Sequence, residues 1–347
     1  MILSRRGPGR LLCLSALTGL ILPMAALRAD PAGFPLEIAN CGHPLQVAAP
    51  PARAVSLGQG TTEILLSLGV TDRIAGTAIW LDPLPAPLAE AGAALPRLAD
   101  NSPGFETVLA VRPDFVAAQW INDIGPGESR VGSWDQFADF GIPAYVSPAE
   151  CAKSAFNAGS GDGARSQAWD MALLEQEIAE LAAIFDRPEA GAALIAANRA
   201  RIEAVTAGAE ALRGRDVSVL YWFSSPRIEG EAYVAGRLGA PGWISQVTGL
   251  RNVIDSQEEW PLVGWETIAA LDPDVIVLGR MERRSLPGDD VAAKRAFLER
   301  DPVASRLSAV REGRLIEMPA QSMNPTLRAV DGVEVLAAGL RDLGLAP

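Results

Sequence analysis

Short apolar runs alternate with helical patterns along most of the chain. Runs such as 217–223 (VSVLYWF) and 275–279 (VIVLG) are β-prone and too short for helices, so each predicts a buried strand. Between such runs, apolar residues recur at the three- and four-residue spacing of helices. This alternation is typical of an α/β fold with mainly parallel sheets. The predicted strands lie at residues 54–57, 74–78, 114–118, 144–147, 217–223, 275–279 and 314–318.

The middle of the chain has a different pattern. From residue 166 to residue 212 no strand pattern occurs, and Leu174, Ile178 and Leu181 follow helical spacing. An acidic and proline-containing start after Asp186 predicts a second helix over 187–212, which at 1.5 Å per residue would span roughly 38 Å. We therefore expect two doubly wound α/β lobes joined by one long rigid backbone helix. The expected lobes are residues 34–186 and 213–347, on either side of that helix.

An internal repeat supports two lobes of similar construction. Residues 105–116 and 265–276 share an aromatic residue, Glu-Thr, an apolar helical stretch and Pro-Asp before a strand. One copy is a common αβ connection, but two copies on either side of a long helix predict a bilobed repeat.

The N-terminus has the features of a secretory signal peptide. Arg5 and Arg6 precede the apolar run 11–22, and a cleavage site is expected before Asp30, so residues 1–29 are predicted to be removed. The run is short for a membrane span. Cys13 lacks the small preceding residues of a lipoprotein site. These features predict export to the periplasm with no membrane anchor, by either the general or the twin-arginine route.

Charge and residue counts exclude several classes of function. The formal charge is −12, and the predicted signal peptide holds four arginines and no acid, so the mature chain carries −16. Such a chain repels nucleic acid. With His43 as the one histidine, it cannot form a multi-imidazole site for a free metal ion. In an oxidising compartment, Cys41 and Cys151 are expected to form a structural disulfide, although two free thiols remain the alternative.

Several motifs resemble one known family. They are residues 53–57 (RAVSL), 62–69 (TEILLSLG), both Glu-containing Pro-Asp segments, 259–261 (EWP) and the helix at 187–212. The chain resembles the helical-backbone substrate-binding proteins of ABC importers for ferric siderophores, heme and vitamin B12. The resemblance covers residues 34–345. The opening at 40–42 (NCG) resembles a subgroup that includes binding proteins for a deazaflavin cofactor precursor.

The resemblance implies how such a protein works. A ligand is held in the cleft between the lobes with little hinge closure, and it is delivered to a dimeric ABC permease with ATPase subunits. No cofactor of the protein's own is implied. The resemblance also implies that Glu106 and Glu266, the matched acids of the repeat, form salt bridges with permease arginines. Helix-dipole stabilisation in a first turn is the simpler role for both acids.

The ends of the predicted strands supply candidate ligand-binding residues. In doubly wound sheets, ligands bind beyond the carboxyl ends of the strands, and indole rings offer flat apolar surfaces to a bulky ligand. Trp260 is a candidate because the resemblance implies a ligand-facing aromatic residue at this position. Arg284 completes an arginine cluster at 280–284 that is either ligand-facing or solvated. The candidates are Gln59, Gly60, Thr61, Trp80, Trp120, Asn122, Trp222, Arg227, Trp260, Arg280, Met281, Arg283, Met323 and Asn324.

The sequence thus predicts a periplasmic solute-binding protein for a metal chelate of the iron-siderophore type. A corrinoid, heme or a deazaflavin precursor is an alternative cargo, with heme less favoured because Tyr and His are scarce. No nucleophile or phosphate-binding motif indicates an enzyme. Since acids are abundant, an exported carboxylate-dependent glycoside hydrolase is the alternative from another class.

Overall fold

The computed structural model describes residues 33–125, 129–154, 156, 162–206 and 209–346. The predicted signal peptide, residues 1–29, lies outside the described residues. Within those ranges, no helix is long and apolar enough to cross a membrane. The same ranges contain two open sheets flanked by helices, which confirms the predicted α/β fold class.

An antiparallel hairpin precedes the first lobe. Its strands are β1 (Leu36–Asn40) and β2 (His43–Val47), joined by the two-residue turn at 41–42. The side chain of Asn40 bonds both the N–H and the carbonyl of Val146, at 2.8 Å each. Cys41 and Cys151 form the expected disulfide, with Cα atoms 4.7 Å apart. The hairpin is therefore fixed to the lobe by both a covalent bond and an amide contact.

The sheet of the first lobe is entirely parallel. Its spatial order is β5-β4-β3-β6-β9, so the strand order reverses between the third and sixth strands. A crevice forms at such a reversal, beyond the carboxyl ends of the strands. The strands of this lobe are β3 (Ala54–Leu57), β4 (Ile74–Ala78), β5 (Arg97–Ala99), β6 (Phe115–Ala118), a short parallel pair β7 (Ile124–Gly125) and β8 (Gly132–Ser133), and β9 (Ala144–Val146).

Helices cover both faces of this sheet. They are α1 (Gln59–Ser67), α2 (Ala86–Ala93), α3 (Phe105–Ala110), α4 (Trp134–Asp139) and α5 (Pro148–Cys151). A capping box begins α4, with the side chains of Ser133 and Gln136 each accepting a hydrogen bond from the other residue's backbone N–H.

Three helices follow in the middle of the chain: α6 (Met171–Ile184), α7 (Pro188–Thr206) and α8 (Glu210–Arg213). The predicted continuous helix over 187–212 was too long, because Ala209 lies in a turn between α7 and α8. With 19 residues, α7 spans about 28 Å. It packs against α6, where a Cβ at Gly191 would lie 2.5 Å from the Cβ of Ala182. Only glycine allows that approach.

The second lobe has a mixed sheet in the order β13-β11-β10-β14-β15, with β12 also paired to β10. The pairs β10–β11 and β11–β13 are antiparallel, and the other pairs are parallel. Its strands are β10 (Ser218–Ser224), β11 (Glu231–Val234), β12 (Arg251–Asn252), β13 (Leu262–Gly264), β14 (Val275–Arg280) and β15 (Leu315–Pro319).

The helices of the second lobe are α9 (Ala240–Thr248), α10 (Trp265–Leu271), α11 (Val291–Arg300), α12 (Ser308–Arg311) and α13 (Arg328–Asp342). The helix α9 ends at Gly249, which has a φ of 82°. The last helix begins at Arg328. The repeat is present as α3 followed by β6 in one lobe and α10 followed by β14 in the other.

The core extends through both lobes. A cluster of buried residues runs from Ile64 and Leu65 of α1, through Ile178 of α6, to Tyr221 of β10 and Val333 of α13. Two smaller clusters lie on the outer faces of the two sheets. The lobes therefore share one apolar base, and the cleft opens above it.

Candidate functional site

A cleft opens between the lobes at the carboxyl edges of both sheets. Its cavity is about 280 Å³ and is lined from both sides. In the first lobe the lining follows β4, β5, β6 and β9. In the second lobe it comes from the end of β10, the segment before β13 and the segment after β15. The lining residues are Ile79, Leu81, Asn101, Ser102, Trp120, Asn122, Arg130, Glu150, Lys153, Asp162, Phe223, Glu259, Trp260, Gln321, Asn324 and Pro325.

The structure places four of the predicted ligand residues in this lining: Trp120, Asn122, Trp260 and Asn324. Trp260 packs on Phe223, with ring centroids 4.2 Å apart and planes inclined by 30°. Trp260 is 6% exposed and belongs to the lining, so only a small part of its side chain is accessible from the cavity. Asn324 donates an amide hydrogen bond to Gln321 at 3.3 Å. The cleft therefore has an aromatic wall with neutral amides beside it.

The start of α1 holds three of the candidate residues, and its polar groups bond to other parts of the protein. The N–H of Gly60 donates to the side-chain carbonyl of Gln119 at 2.7 Å. The amide of Gln59 bonds the backbone of Leu81 and Asp82 at 2.8–3.1 Å. These two residues are buried and lie outside the cleft lining.

Thr61 also lies in a buried polar network and not in the lining. Its hydroxyl bonds Glu177 at 3.2 Å, and Ser147 donates to the same carboxyl group at 2.5 Å. Burial raises the pKa of Glu177 to about 7. Sequence reasoning had no signal for this network, because its members are far apart along the chain.

Two further candidates belong to the core. Trp222 is 0% exposed, and its indole N–H donates to the carbonyl of Ser224 at 3.0 Å. Its ring packs on Trp265 in the outer face of the second sheet, with centroids 4.7 Å apart. Side chains alternate along a strand, so the neighbouring Phe223 lines the cleft instead. Met323 is fully buried in the shared core.

The arginine cluster after β14 does not line the cleft. Arg280 pairs with Glu282 at 2.5 Å, and Arg284 pairs with Asp290 at 2.9 Å. Arg227 is exposed, and Met281 is half-buried; neither is in the lining. These candidates follow strand ends in the sequence, but the loops that carry them turn away from the cavity.

Arg283 connects the two lobes beside the cleft. Its guanidinium donates to the carbonyls of Trp80 at 3.1 Å and Asp100 at 2.7 Å, and to the side chain of Asn101. Trp80 lines a neighbouring groove of about 550 Å³, where the guanidinium carbon of Arg97 lies 4.6 Å from the ring centroid. Arg283 and Trp80 therefore form the edge of the interlobe opening and not its interior.

Two buried ion pairs in the cleft were missed by the sequence analysis. Lys153 bonds Glu150 at 2.6 Å, and both side chains are almost fully buried. Arg165 donates to Glu259 and, at 2.7 Å, to the carbonyl of Ala149. The second pair joins the lobes, because residues 162–169 cross to the second lobe and bond its backbone there. No local pattern in the sequence predicts that crossing.

A buried carboxyl lies behind the cleft wall. Asp123 accepts a hydrogen bond from Ser102 at 2.8 Å, and its second oxygen has no partner among the described residues. Burial raises the pKa of Asp123 to about 6. In the described part of the chain, no group of three or more His, Cys, Asp or Glu side chains is arranged to hold a metal ion.

A third ion pair closes the base of the cleft. Arg328 of α13 bonds Glu63 of α1 through two nitrogens at 2.5–3.1 Å, and it also donates to the carbonyl of Pro83 at 2.7 Å. The lobes approach closely here, since a Cβ at Gly60 would lie 2.6 Å from a methyl carbon of Thr326. The two lobes are therefore connected by ion pairs at the base and at the wall of the cleft.

The matched acids of the repeat are both on the surface. Glu106 is the second residue of α3 and Glu266 the second residue of α10, and both are exposed. Exposed apolar residues lie close to each. Phe140 packs on the ring of Phe105 at 5.7 Å, and Leu271 ends the helix of Glu266.

Comparison with known proteins gives the same architecture. The sequence matches the profile of the family described as periplasmic binding protein over residues 55–322. A search of curated protein sequences found no significant match.

Solved structures with the same fold cover most of the chain. A periplasmic binding protein from Veillonella parvula DSM 2008 superposes with a TM-score of 0.74 at 23% identity, over 88% of this chain and 97% of that one. A protein of an ABC-type Fe³⁺-hydroxamate transport system from Saccharomonospora viridis DSM 43017 gives 0.69 at 24%, over 88% and 99%. A periplasmic heme-binding protein from Pseudomonas aeruginosa gives 0.61 at 23%, over 83% and 92%.

At these identities the structural matches establish the fold, and the profile match establishes the family. Family members are periplasmic and work with the permeases of ABC transporters. The chain belongs to the periplasmic binding protein family.

Proposed function

We propose that this protein captures a metal chelate of the ferric-siderophore type in the cleft between its lobes and delivers it to an ABC permease. The observation that carries the proposal is the cleft lining itself. Trp120 and the packed pair Phe223 and Trp260 offer apolar surface to a bulky organic body, and neutral amides lie beside them. The similar Saccharomonospora protein belongs to a Fe³⁺-hydroxamate transport system, which favours the same class of cargo.

The lining favours a metal that arrives already coordinated. Among its described residues there is no histidine, cysteine, tyrosine or methionine. Heme iron is commonly held by such axial ligands, so the lining fits a complete chelate better than it fits heme. The two buried carboxylates of the lining, Glu150 and Glu259, are each held by a cation. That arrangement gives a carboxylate-dependent hydrolase less support than a binding protein.

Calorimetric titration of the mature protein with ferric siderophores tests the proposal. We expect saturable binding of one chelate per chain. Trp260→Ala is expected to weaken binding by about 1–3 kcal/mol, because it removes part of the aromatic wall. Trp134→Ala is the matched control, since this indole stacks on His43, 4.2 Å away and outside the cleft lining. Equal loss of affinity in both variants, or no binding by the wild type, would contradict the proposal.

A further inference from the structure

The charged side chains of the cleft indicate which net charge its ligand can have. The lining contains two bases, Arg130 and Lys153, and three acids, Glu150, Asp162 and Glu259. Of the bases, Lys153 is committed to Glu150 at 2.6 Å and to the carbonyl of Asp162 at 2.7 Å. A ligand that displaced Lys153 from Glu150 would leave a buried carboxylate without its cation, which is costly.

Of the two remaining acids, Glu259 is also held in an ion pair. Glu259 is bound to Arg165, which is 1% exposed and lies behind the lining. One base and one acid are then left over, Arg130 and Asp162. Neither side chain forms a hydrogen bond or an ion pair with another described residue. With Arg165 included, the formal charge of the cleft is zero.

Residues outside the described ranges that neighbour the lining in the sequence add no positive charge to this balance. Residues 126–128, 155 and 157–161 neighbour lining residues in the sequence, and they contain one acid and no base. Behind the wall, one oxygen of Asp123 and one guanidinium nitrogen of Arg165 have no partner among the described residues. The oxygen disfavours anions, and the charge of Arg165 is already counted in the balance.

A polyanionic cargo would therefore meet one base outside an ion pair, Arg130, whose charge already acts on the carboxyl groups of Asp123 and Asp162. Transfer of several negative charges from water into a cleft without matching cations is strongly unfavourable. Neutral polar ligands face no such penalty, and the lining offers them uncharged partners in Asn101, Ser102, Gln321 and Asn324 beside the aromatic wall.

We propose that the cargo is an electrically neutral chelate and that the cleft discriminates against polyanionic chelates and oxyanions. This inference rests on the proposed function. A ferric tris-hydroxamate fits, because three singly charged hydroxamates neutralise Fe³⁺. A ferric tris-catecholate does not fit, because three doubly charged catecholates leave a net charge of −3. Heme with two free carboxylates and molybdate are disfavoured for the same reason.

The test is a calorimetric titration of the mature protein with three probes: a neutral ferric tris-hydroxamate, a ferric tris-catecholate and molybdate. We expect the neutral complex to bind at least about 100-fold more tightly than either anion. Its affinity should also be nearly the same at low and high salt, because no net charge is screened. Equal or tighter binding of the tris-catecholate overturns the inference but leaves the proposed function standing. Failure of both ferric chelates to bind overturns both.

A pair of variants tests whether the carboxylate of Asp162 contributes to this selectivity. Asp162→Asn removes a carboxylate from the lining, so the preference for the neutral over the trianionic complex should fall about fivefold. Asp139→Asn removes the same charge from the exposed end of α4, outside the lining, and should leave both affinities unchanged. An unchanged preference in Asp162→Asn, or an equal change in Asp139→Asn, counts against the charge argument.

Discussion

The buried ion pair between Glu63 and Arg328 connects the two lobes, and we expect its loss to lower the stability of the protein. The carboxylate is 2% exposed and the guanidinium 10% exposed, and two nitrogens of the arginine bond the acid at 2.5–3.1 Å. Loss of either partner leaves the other charge buried. We therefore expect Glu63→Leu alone, or Arg328→Met alone, to lower the free energy of unfolding by about 3–5 kcal/mol.

The double variant is expected to behave differently. Burial raises the pKa of Glu63 more than Arg328 lowers it, so the ionised carboxyl is less favourable here than in water. An apolar pair of similar volume avoids that cost. The variant Glu63→Leu with Arg328→Met should therefore unfold within about 1–2 kcal/mol of the wild type.

Urea unfolding near pH 7.5, followed by tryptophan fluorescence and circular dichroism, gives the four free energies of this double-mutant cycle. Arg199→Met is a suitable control, because Arg199 is exposed and pairs with Glu175 on the surface. Single variants that unfold like the wild type, or a double variant that loses the sum of both single effects, would refute the assignment of this pair as a buried connection between lobes.

Three further predictions concern docking, the disulfide and pH. The double change Glu106→Gln and Glu266→Gln should abolish transport while ligand affinity and thermal stability stay near wild type, because both acids are exposed; uptake assays and calorimetry measure these effects. Cys41→Ser with Cys151→Ser should lower the free energy of unfolding by about 4–5 kcal/mol in the loop-entropy model. Burial raises the pKa of Asp123 from 3.8 to about 6, so the folded protein binds the proton of this carboxyl more tightly than the unfolded chain does. The protonated carboxyl therefore adds about 2–3 kcal/mol to the free energy of unfolding below pH 3.8, and this stabilisation is lost as the pH rises through 6. Asp123→Asn should flatten that slope in unfolding measured from pH 4 to pH 7.

Each of these three predictions can be contradicted by a specific experimental outcome. Transport that survives the double Glu→Gln change would leave helix-dipole stabilisation as the role of the two acids. If both Cys→Ser substitutions together leave the free energy of unfolding unchanged, the disulfide does not stabilise the folded protein. An Asp123→Asn profile parallel to that of the wild type would assign the pH dependence to other buried carboxyls, such as Glu177.

The fold was predictable because it depends on local patterns that recur. The β-prone runs became strands, and Gly249 ended α9 where a left-handed residue is needed. Helix length was less predictable. The chain turns at Ala209, directly after Gly208 in the sequence, and the low helix propensity of that glycine was given too little weight in the prediction.

The site was only partly predictable. Trp120 and Asn324, which were selected by the rule that ligands lie beyond strand ends, are in the cleft lining. It selected Trp222 in place of Phe223, because the sequence does not show which face of a strand buried on both sides borders the cleft. The ion pairs of Lys153 and Arg165 depend on the crossing of residues 162–169, which is a tertiary event without a local signature.

We propose that this chain captures an iron chelate outside the cytoplasm and passes it to a permease. The decisive measurement is the uptake of a radiolabelled neutral ferric chelate by host cells. Cells without this chain should lose uptake, the full chain should restore it, and a chain without residues 1–29 should not. Uptake at the wild-type rate in cells without this chain would show that the protein does not have this function.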